Sequence, residues 1–428
     1  MPDASDHPVG VCRVSARTER IVVVGAGLAA LSAAERLRER GFAGDIVVIG
    51  EETHRPYNRT PLSKGLLTGQ VSTRELPLRS YTPLNVQWKL GDTVTGLDIA
   101  RRVLRTEHAS DIGYDGLIIA TGVRARHLPG APMDAPHVWT LRTLDDARAI
   151  DRAMTNARRI AVVGGGFLGC EIASTARERG IAVTLIDRSP TVLHRSLGAP
   201  IGAAIGEIHR AAGVRLHLGV GVSGWTETRR GARLTLDDNE EVDADLVVIG
   251  VGTDPNTEWL RDSGLDITDG VLCDATGHAI SRDGVRVEDI VAAGDVARWP
   301  NQRFDGLPRR VEHWINAVEM GQAAADSLLA GPAARPFCPT PRFWSHQHGA
   351  RIQASGQPAL GSSMTLLEGS FQDRRFIAGF TRPGDTGPLL VGVVAINMPR
   401  TLLRWHEKIG HPANDLPLHP RQVTTLQN

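Results

Sequence analysis

Residues 21–51, IVVVGAGLAALSAAERLRERGFAGDIVVIGE, form the pattern of a strand, a glycine turn, a helix and a second strand that ends in an acid. Gly25 and Gly27 allow a tight turn and a close approach to a phosphate, and Ala30 is small enough for close helix packing. Glu51 follows the second strand, where a carboxylate can accept both hydroxyls of an adenosine ribose. Because the free amides and the dipole of the helix N-terminus attract phosphates, the stretch predicts a dinucleotide site.

The same pattern recurs in the middle of the chain, in RRIAVVGGGFLGCEIASTARERG followed by IAVTLID, residues 158–187. Gly164, Gly166 and Gly169 supply the turn, and Asp187 takes the place of the acid. One such unit is typical of a dehydrogenase or a passive nucleotide binder. Two units imply two dinucleotides that face each other, as hydride transfer from a nicotinamide to a flavin requires. The sequence therefore predicts a flavoprotein with two dinucleotide sites.

The length and the charge balance restrict the class of protein. A chain of 428 residues suggests two to three domains. The charged residues number 48 of each sign, so no overall field attracts the chain to nucleic acid or to a membrane surface. Its first residues are polar and no stretch reaches the length of a membrane-spanning apolar helix. We expect a cytoplasmic protein that binds neither nucleic acid nor a membrane.

The four cysteines are Cys12, Cys170, Cys273 and Cys338, and no two of them form a CxxC or CxxxxC motif. This spacing argues against a disulfide framework and against an internal redox disulfide. We expect the four cysteines to be small buried or incidental residues. We also expect no metal site.

The segment PYNRTPLSK, residues 56–64, directly follows the first ribose acid. It resembles the Pro-Tyr-x-Arg-x-Pro-Leu-Ser-Lys segment of the FAD-dependent ferredoxin reductases that supply bacterial monooxygenases and dioxygenases. This resemblance implies that Lys64 lies near flavin N5, where a cation stabilises the reduced ring, and that Arg59 lies near the FAD phosphates. Without the resemblance, a lysine after a proline-rich turn would be interpreted as a solvated surface charge.

The resemblance covers roughly residues 20–410 and implies further contacts with FAD. They are Val94 at the adenine, Thr121 and Gly122 where the chain leaves the FAD domain, Arg142 at the pyrophosphate, Asp295 at the ribitol, and Trp314 at the flavin pyrimidine edge.

The resemblance also implies residues at the nicotinamide and on the flavin face. Glu171 would point at the nicotinamide and pair with Lys64, and Gly252 would lie near the nicotinamide half. Trp344, with Phe343 and Ser345, would approach the isoalloxazine and gate electron exit or exclude water. Lys64, Glu171 and Trp344 are thus the predicted catalytic residues. From the residues alone, Glu171 is equally well a first-turn glutamate that complements the helix dipole, and Trp344 a core aromatic.

The predicted fold is α/β, with two Rossmann-like dinucleotide-binding domains and a C-terminal α+β domain of short strands. The second fingerprint lies inside the first domain, so the FAD domain would be interrupted by the NAD domain. The expected boundaries are a flexible tail at 1–19, the FAD domain at 20–125 and 255–332, the NAD domain at 126–254, and the C-terminal domain at 335–428.

The segment after the first ribose acid restricts the kind of electron acceptor. Relatives that reduce a disulfide or a peroxide need a cysteine beside the flavin, and residues 51–80 contain none. The resemblance then implies an external one-electron acceptor, a 2Fe-2S ferredoxin that supplies a haem-thiolate monooxygenase or a ring-hydroxylating dioxygenase. The alternatives are a signalling flavoprotein related to apoptosis-inducing factor and a rubredoxin reductase.

Two neighbouring residues favour different nucleotides. Asp187 would bind ribose hydroxyls and repel a 2′-phosphate, whereas Arg188 beside it could pair with that phosphate. We predict NADH, with NADPH possible.

A ferredoxin is usually acidic, so a neutral reductase needs a local basic patch near the flavin. The candidate cations follow Asp295 in the next loop or lie on or beside the C-terminal helix: Arg298, Arg303, Arg309, Arg310, Arg400, Arg404 and Lys408. We expect a monomer or a weak dimer.

Overall fold

The computed structural model describes residues 19–80, 83–108, 111–384, 387–413 and 423–425. Residues 1–18 of the predicted tail, with Cys12, lie outside these residues. So do residues 414–422 and 426–428 at the end of the predicted C-terminal domain.

The first fingerprint forms a parallel strand–helix–strand unit. Its elements, with those that follow it, are β1 (Arg20–Val24), α1 (Leu28–Glu39), β2 (Asp45–Gly50), β3 (Val86–Leu90), β4 (Val94–Asp98), β5 (Val103–Thr106), β6 (Ile112–Gly113) and β7 (Gly116–Ile119). Strand β1 pairs in parallel with both β2 and β7. At the turn after β1, Gly25 has φ +107° and a Cβ there would lie 2.2 Å from the carbonyl oxygen of Ala120. Only glycine lets the turn approach β7 so closely.

The second fingerprint repeats this unit in a second sheet. The elements are β8 (Val123–Ala125), β9 (Val138–Thr140), α2 (Leu144–Asn156), β10 (Arg159–Val163), α3 (Phe167–Glu178), β11 (Ala182–Asp187), α4 (His194–Ala211), β12 (Val214–Leu218), β13 (Val222–Thr228), β14 (Gly231–Leu236), β15 (Glu241–Ala244), β16 (Leu246–Ile249) and β17 (Thr253–Pro255). The strands of the sheet follow the order β12, β11, β10, β16, β9. A Cβ at Gly169 would lie 1.9 Å from the carbonyl oxygen of Gly164, so this turn excludes the alanine that the first unit carries as Ala30.

The chain then returns to the first sheet. Its elements are β18 (Val271–Leu272), β19 (His278–Ile280), β20 (Arg286–Ala292), β21 (Ala297–Pro300), β22 (Pro308–Arg309) and α5 (Trp314–Ala330). The order of the first sheet is β19, β20, β7, β1, β2, β3, with β20 parallel to β7. Strands from before and after the second unit therefore share one sheet. Between the two units, β8 pairs with β17, and Thr121 and Asn256 exchange side chain to backbone hydrogen bonds of 2.8 and 2.9 Å.

The last part of the chain is an antiparallel sheet with one helix against it. It comprises β23 (Arg342–Gln347), β24 (Ala350–Gly356), β25 (Ser363–Ser370), β26 (Arg375–Gly384), β27 (Gly387–Ile396), α6 (Pro399–His406) and β28 (Val423–Thr425). The order of strands is β23, β24, β27, β26, β25, β28. The predicted fold class, two Rossmann-like units of which one interrupts the other and a C-terminal α+β unit, is confirmed.

Within the described ranges, the helices are all too short or too polar to cross a membrane. The same residues contain no group of three or more His, Cys, Asp or Glu side chains arranged to hold a metal ion.

Candidate active site

A cavity of about 1030 Å³ opens at the carboxyl ends of the first sheet. The turn after β1, the acid after β2 and the segments after β7 and β20 all contribute to its wall. Parallel α/β sheets bind ligands at this edge, because the loops that follow their strands meet there. The predicted site residues in the wall are Gly25, Gly27, Glu51, Arg59, Lys64, Val94, Thr121, Gly122, Arg142, Glu171, Asp295, Trp314 and Trp344.

The remaining predicted residues lie outside this wall. Ala30 is fully buried in α1, where it packs in the core of the first unit. Gly164, Gly166 and Gly169 form the turn between β10 and α3, and Asp187 ends β11. Gly252 lies directly before β17, and its carbonyl accepts from the backbone of Arg126. The structure thus separates the predicted residues into a cavity group, a group at the second turn, and Ala30 and Gly252, which belong to neither.

Two arginines approach the part of the cavity beside the first turn. Arg59 donates 2.8 Å to the Tyr57 hydroxyl and 2.9 Å to the Arg142 carbonyl, and it forms an ion pair with Glu52. The Arg142 side chain donates 2.9 Å to the Asp295 carboxylate. Glu52, a second acid after β2, was missed by the sequence reasoning, although it directly follows Glu51. The two arginines and the two carboxylates therefore neutralise each other around this part of the wall.

The Lys64 ammonium lies 2.7 Å from Glu171 Oε2, and Glu171 is only 7 % exposed. Two hydroxyls also donate to this carboxylate: Ser63 to Oε2 at 2.6 Å and Ser345 to Oε1 at 2.5 Å. Lys64 is therefore an ion-paired group in the cavity wall and not a solvated surface charge. Glu171, in the first turns of α3, is held from both sides by other segments of the chain.

The aromatic residues of the wall carry polar atoms without partners. Nε1 of Trp314, Nε1 of Trp259 and Nδ1 of His313 are buried and have no hydrogen-bond partner within the described part of the chain. Burial lowers the pKa of His313 to about 4, so its ring is neutral at pH 7. A buried donor without a partner costs about 1–3 kcal/mol.

Trp344 lines the same cavity, with its ring centroid 6.1 Å from that of Trp314. His313 and Trp259 were missed by the sequence reasoning. The position of His313 directly before Trp314 is the signal that could have identified it. The cavity therefore combines carboxylates for hydroxyl groups, a glycine turn for phosphates, and aromatic rings, a set that fits a flavin dinucleotide.

The second turn is closed by Asp187. Its carboxylate accepts from the backbone amides of Gly165 at 2.5 Å and of Ser189 at 2.6 Å. The neighbouring Arg188 side chain lies against Gly221, where an added Cβ would be 2.5 Å from its Nε and 2.7 Å from Asp237 Oδ2. The carboxylate thus lies at the turn, and the guanidinium lies against the loop before β13.

The candidate docking cations have mostly acidic partners. Ion pairs join Arg298 to Asp266, Arg309 to Asp305, Arg310 to Asp269 and Glu312, and Arg404 to Glu368. The side chain of Arg310 is only 12 % exposed. Arg303 donates 3.2 Å to the Cys338 carbonyl, while Arg400 and Lys408 are exposed. Among these candidates, the exposed cations are Arg400, Arg404 and Lys408 on or beside α6 and Arg303, whose side chain lies against Gly410.

Comparison with known proteins gives one family over most of the chain. The model of the pyridine nucleotide-disulphide oxidoreductase family matches residues 19–321. The ferredoxin reductase component of chlorobenzene dioxygenase from Cupriavidus sp. (strain PS12) is 33% identical over 384 residues, which are 89% of this chain and 90% of that protein. Putidaredoxin reductase from Pseudomonas putida is 32% identical over 390 residues, 89% of either chain. The structure of a covalent putidaredoxin reductase–putidaredoxin complex matches with a TM-score of 0.85 and 30% identity, over 94% of this chain and 95% of that chain.

Proposed function

The chain belongs to the pyridine nucleotide-disulphide oxidoreductase family, and within that family we propose that it is an NADH-dependent ferredoxin reductase. It is an oxidoreductase, and its family implies that it binds FAD and a pyridine nucleotide. Ferredoxin reductases of dioxygenase systems and putidaredoxin reductase match about nine-tenths of this chain and of their own lengths, and this observation carries the proposal. The ferredoxin would supply a monooxygenase or a dioxygenase.

The cysteines among the described residues support an electron acceptor that is not part of this chain. None of Cys170, Cys273 and Cys338 lines the cavity. Burial raises the pKa of the Cys170 and Cys273 thiols, so neither is a reactive thiolate at neutral pH. Electrons that leave the cavity toward a disulfide or a peroxide would need a cysteine there.

FAD would lie in the cavity along the first turn. When bound, it would supply a ring that can take up a hydride and pass on single electrons. The amides at the start of α1 would hold its pyrophosphate, together with Arg142, and Glu51 would accept the ribose hydroxyls. Asp295 would accept the ribitol hydroxyls, and Trp314 would lie at the pyrimidine edge. Val94 would contact the adenine.

At the reacting end, Lys64 would place a positive charge where the hydride delivers negative charge. Glu171 would position the nicotinamide amide and keep Lys64 in place through their ion pair. Trp344 would cover the ring and exclude water.

We also propose the domain boundaries suggested by the sequence: 20–125 and 255–332 for FAD, 126–254 for the nucleotide and 335–428 for the C-terminal unit. Their support is that β7 and β20 share a sheet while β8 and β17 pair between the two units.

Turnover tests the function directly. The purified protein is expected to be yellow, to reduce ferricyanide rapidly with NADH, and to reduce a 2Fe-2S ferredoxin encoded beside its gene. Slow turnover with a persistent long-wavelength absorption band after NADH addition would instead favour the signalling flavoprotein, and rapid reduction of rubredoxin alone would favour a rubredoxin reductase.

Asp187→Ala is expected to shift the preference from NADH toward NADPH. The carboxylate at the turn would repel a 2′-phosphate, and like charges a few ångströms apart at a surface repel by about 1 kcal/mol or more. The ratio of kcat/KM with NADH to kcat/KM with NADPH should therefore fall about fivefold or more. The same ratio should fall in Asp187→Asn, which keeps an acceptor for the backbone amides. Arg188→Ala, as the control, should leave the kinetics with NADH unchanged. Equal kcat/KM values for the two nucleotides in the wild-type enzyme would contradict the proposed preference.

Reversing Arg400 and Arg404 to glutamate is expected to raise KM for an acidic ferredoxin several-fold and to flatten its salt dependence. Both side chains are exposed on α6, which contacts β24 beside the strand that carries Trp344, so the change alters charge without breaking a buried pair. Arg309 and Arg310 are less suitable, because their side chains are only 33% and 12% exposed against 71% for Arg404, and their acidic partners lie closer than Glu368 lies to Arg404.

Ferricyanide reduction by NADH should be unaffected by the α6 reversal, because a small acceptor needs no docking face. The matched control reverses the exposed Arg229 and Arg230 of the turn between β13 and β14. If that control raised KM as much as the α6 variant, the positive charge would act through overall attraction and not through a docking face on α6.

A further inference from the structure

A row of hydrogen bonds leads from Glu171 into the C-terminal unit. Ser345 donates 2.5 Å to Glu171 Oε1, and the Gln347 amide nitrogen donates 3.1 Å to the Ser345 hydroxyl. His209 Nε2 lies 3.0 Å from Gln347 Oε1, and His348 Nε2 lies 3.0 Å from His209 Nδ1. We call Ser345, Gln347, His209 and His348 the Glu171 row.

In all four hydrogen bonds of the row, the donor lies on the side away from Glu171 and the acceptor on the side toward it. The Glu171 carboxylate can only accept, so the proton of Ser345 points to it and the serine oxygen accepts from Gln347. The Gln347 carbonyl can only accept, so His209 carries its proton on Nε2 and accepts on Nδ1 from His348. Hydrogen bonds that point the same way polarise one another, and this row ends on the negative charge.

Three of the four members of the row are shielded from water, and His348 at its far end is half-buried. Ser345 and His209 are 0% exposed and Gln347 is 1% exposed. Burial lowers the pKa of His209 and lowers that of His348 to about 4. Both rings are therefore neutral at neutral pH, which the direction of the row requires. A buried polar row in which every member is bonded fixes its members in one arrangement.

The row joins three separate parts of the chain. Glu171 lies on α3, His209 lies on α4, and the other members lie on β23 and the turn that follows it. The backbone amide of His348 also donates 2.7 Å to the Ser174 hydroxyl on α3. The end of β23 is thus attached to α3 at two points, at Glu171 and one turn further along the helix.

The row cannot serve as a proton path. A proton that enters at His348 would have to pass through the Gln347 amide, which does not titrate near neutral pH. Its remaining effect is to hold the Glu171 carboxylate at one position, opposite the Lys64 and Ser63 contacts on Oε2.

We propose that Ser345, Gln347 and His209 are positioning residues for nucleotide binding, which act through Glu171 and make the nicotinamide site depend on the docking of β23 against α3. This inference rests on the proposed function, in which Glu171 faces the nicotinamide. The docking of the C-terminal unit then contributes to nucleotide affinity, although these three side chains do not themselves contact the nucleotide.

Ser345→Ala tests the proposal through the Kd for NAD⁺, measured by calorimetry on the oxidised FAD-loaded protein. With Oε1 released, we expect Kd to rise about three- to tenfold, the factor that corresponds to one ordinary hydrogen bond. KM for NADH should rise by a similar factor, while kcat with ferricyanide changes less. Gln347→Met, which removes the donor to Ser345, should act in the same direction and more weakly. Ser355→Ala is the matched control, because Ser355 is a buried serine of β24 that bonds to His406 on α6.

A double-mutant cycle with Glu171→Gln separates positioning from general structural loss. If Ser345 acts through the carboxylate, Ser345→Ala should have little further effect on Kd in the Glu171→Gln background. Additive effects, or an unchanged Kd in Ser345→Ala, would overturn the inference and leave the proposed function intact. A wild-type protein that does not bind NAD⁺ would overturn both.

Discussion

The Asp295→Ala variant is expected to purify with little FAD. Asp295 lies in the cavity wall, three residues after the end of β20, with a side chain that is only 16% exposed. As a charged acceptor for the ribitol hydroxyls it would contribute about 1.5–3 kcal/mol, so FAD binding should weaken about ten- to a hundredfold. Arg142 loses its partner in this variant and becomes free to approach the pyrophosphate, which would moderate the loss. The ratio of flavin to protein absorbance and an FAD titration of the apoprotein measure the effect.

Asp326→Ala is the matched control for this prediction. Asp326 also pairs with arginine side chains, Arg36 and Arg40, but it lies where α5 packs against α1 and does not line the cavity. The control should retain FAD as the wild-type protein does. If Asp295→Ala bound FAD with unchanged affinity, Asp295 would have no part in the flavin site, and the ribitol would need another acceptor.

The fold could be predicted because its deciding signals are local. Each glycine turn lies within a few residues of the strand and the helix that it joins, and close backbone contacts at Gly25 and Gly169 restrict what can stand there. The repetition of the pattern then implied two similar units, and the shared sheet of β7 and β20 confirmed that one interrupts the other.

Contacts between distant segments could not be predicted in the same way. Ser345 bonds to a residue 174 positions away, and His209 bonds to one 138 positions away. No periodicity in the sequence signals such pairs, since they arise only when the C-terminal sheet packs against the second unit. The sequence also does not show which charged side chains are paired in the fold. It identifies Arg310 as a cation, but only the structure shows that Asp269 and Glu312 neutralise it.

Replacing Lys64 by methionine is expected to slow hydride transfer from NADH to the bound flavin by at least about a hundredfold, the typical effect of removing one group that stabilises developing charge. Methionine keeps an unbranched side chain of similar length and removes the ammonium. The change also leaves the Glu171 carboxylate with two hydroxyl donors but no cation. Removing one partner of a buried ion pair costs about 3–5 kcal/mol, so the variant should also unfold at a lower temperature.

A second variant separates these two effects. In Lys64→Met/Glu171→Gln the uncompensated charge is gone, so thermal stability should return toward the wild-type value while hydride transfer stays slow. Lys89→Met, on β3 and outside the cavity wall, is the matched control and should react as the wild-type enzyme does. Stopped-flow bleaching of the flavin by excess NADH measures the rate, and a melting curve measures stability. If the double variant recovered both the hydride-transfer rate and the thermal stability, Lys64 would act only by neutralising Glu171. A double variant that is stable but still slow would assign the rate effect to the Lys64 charge itself.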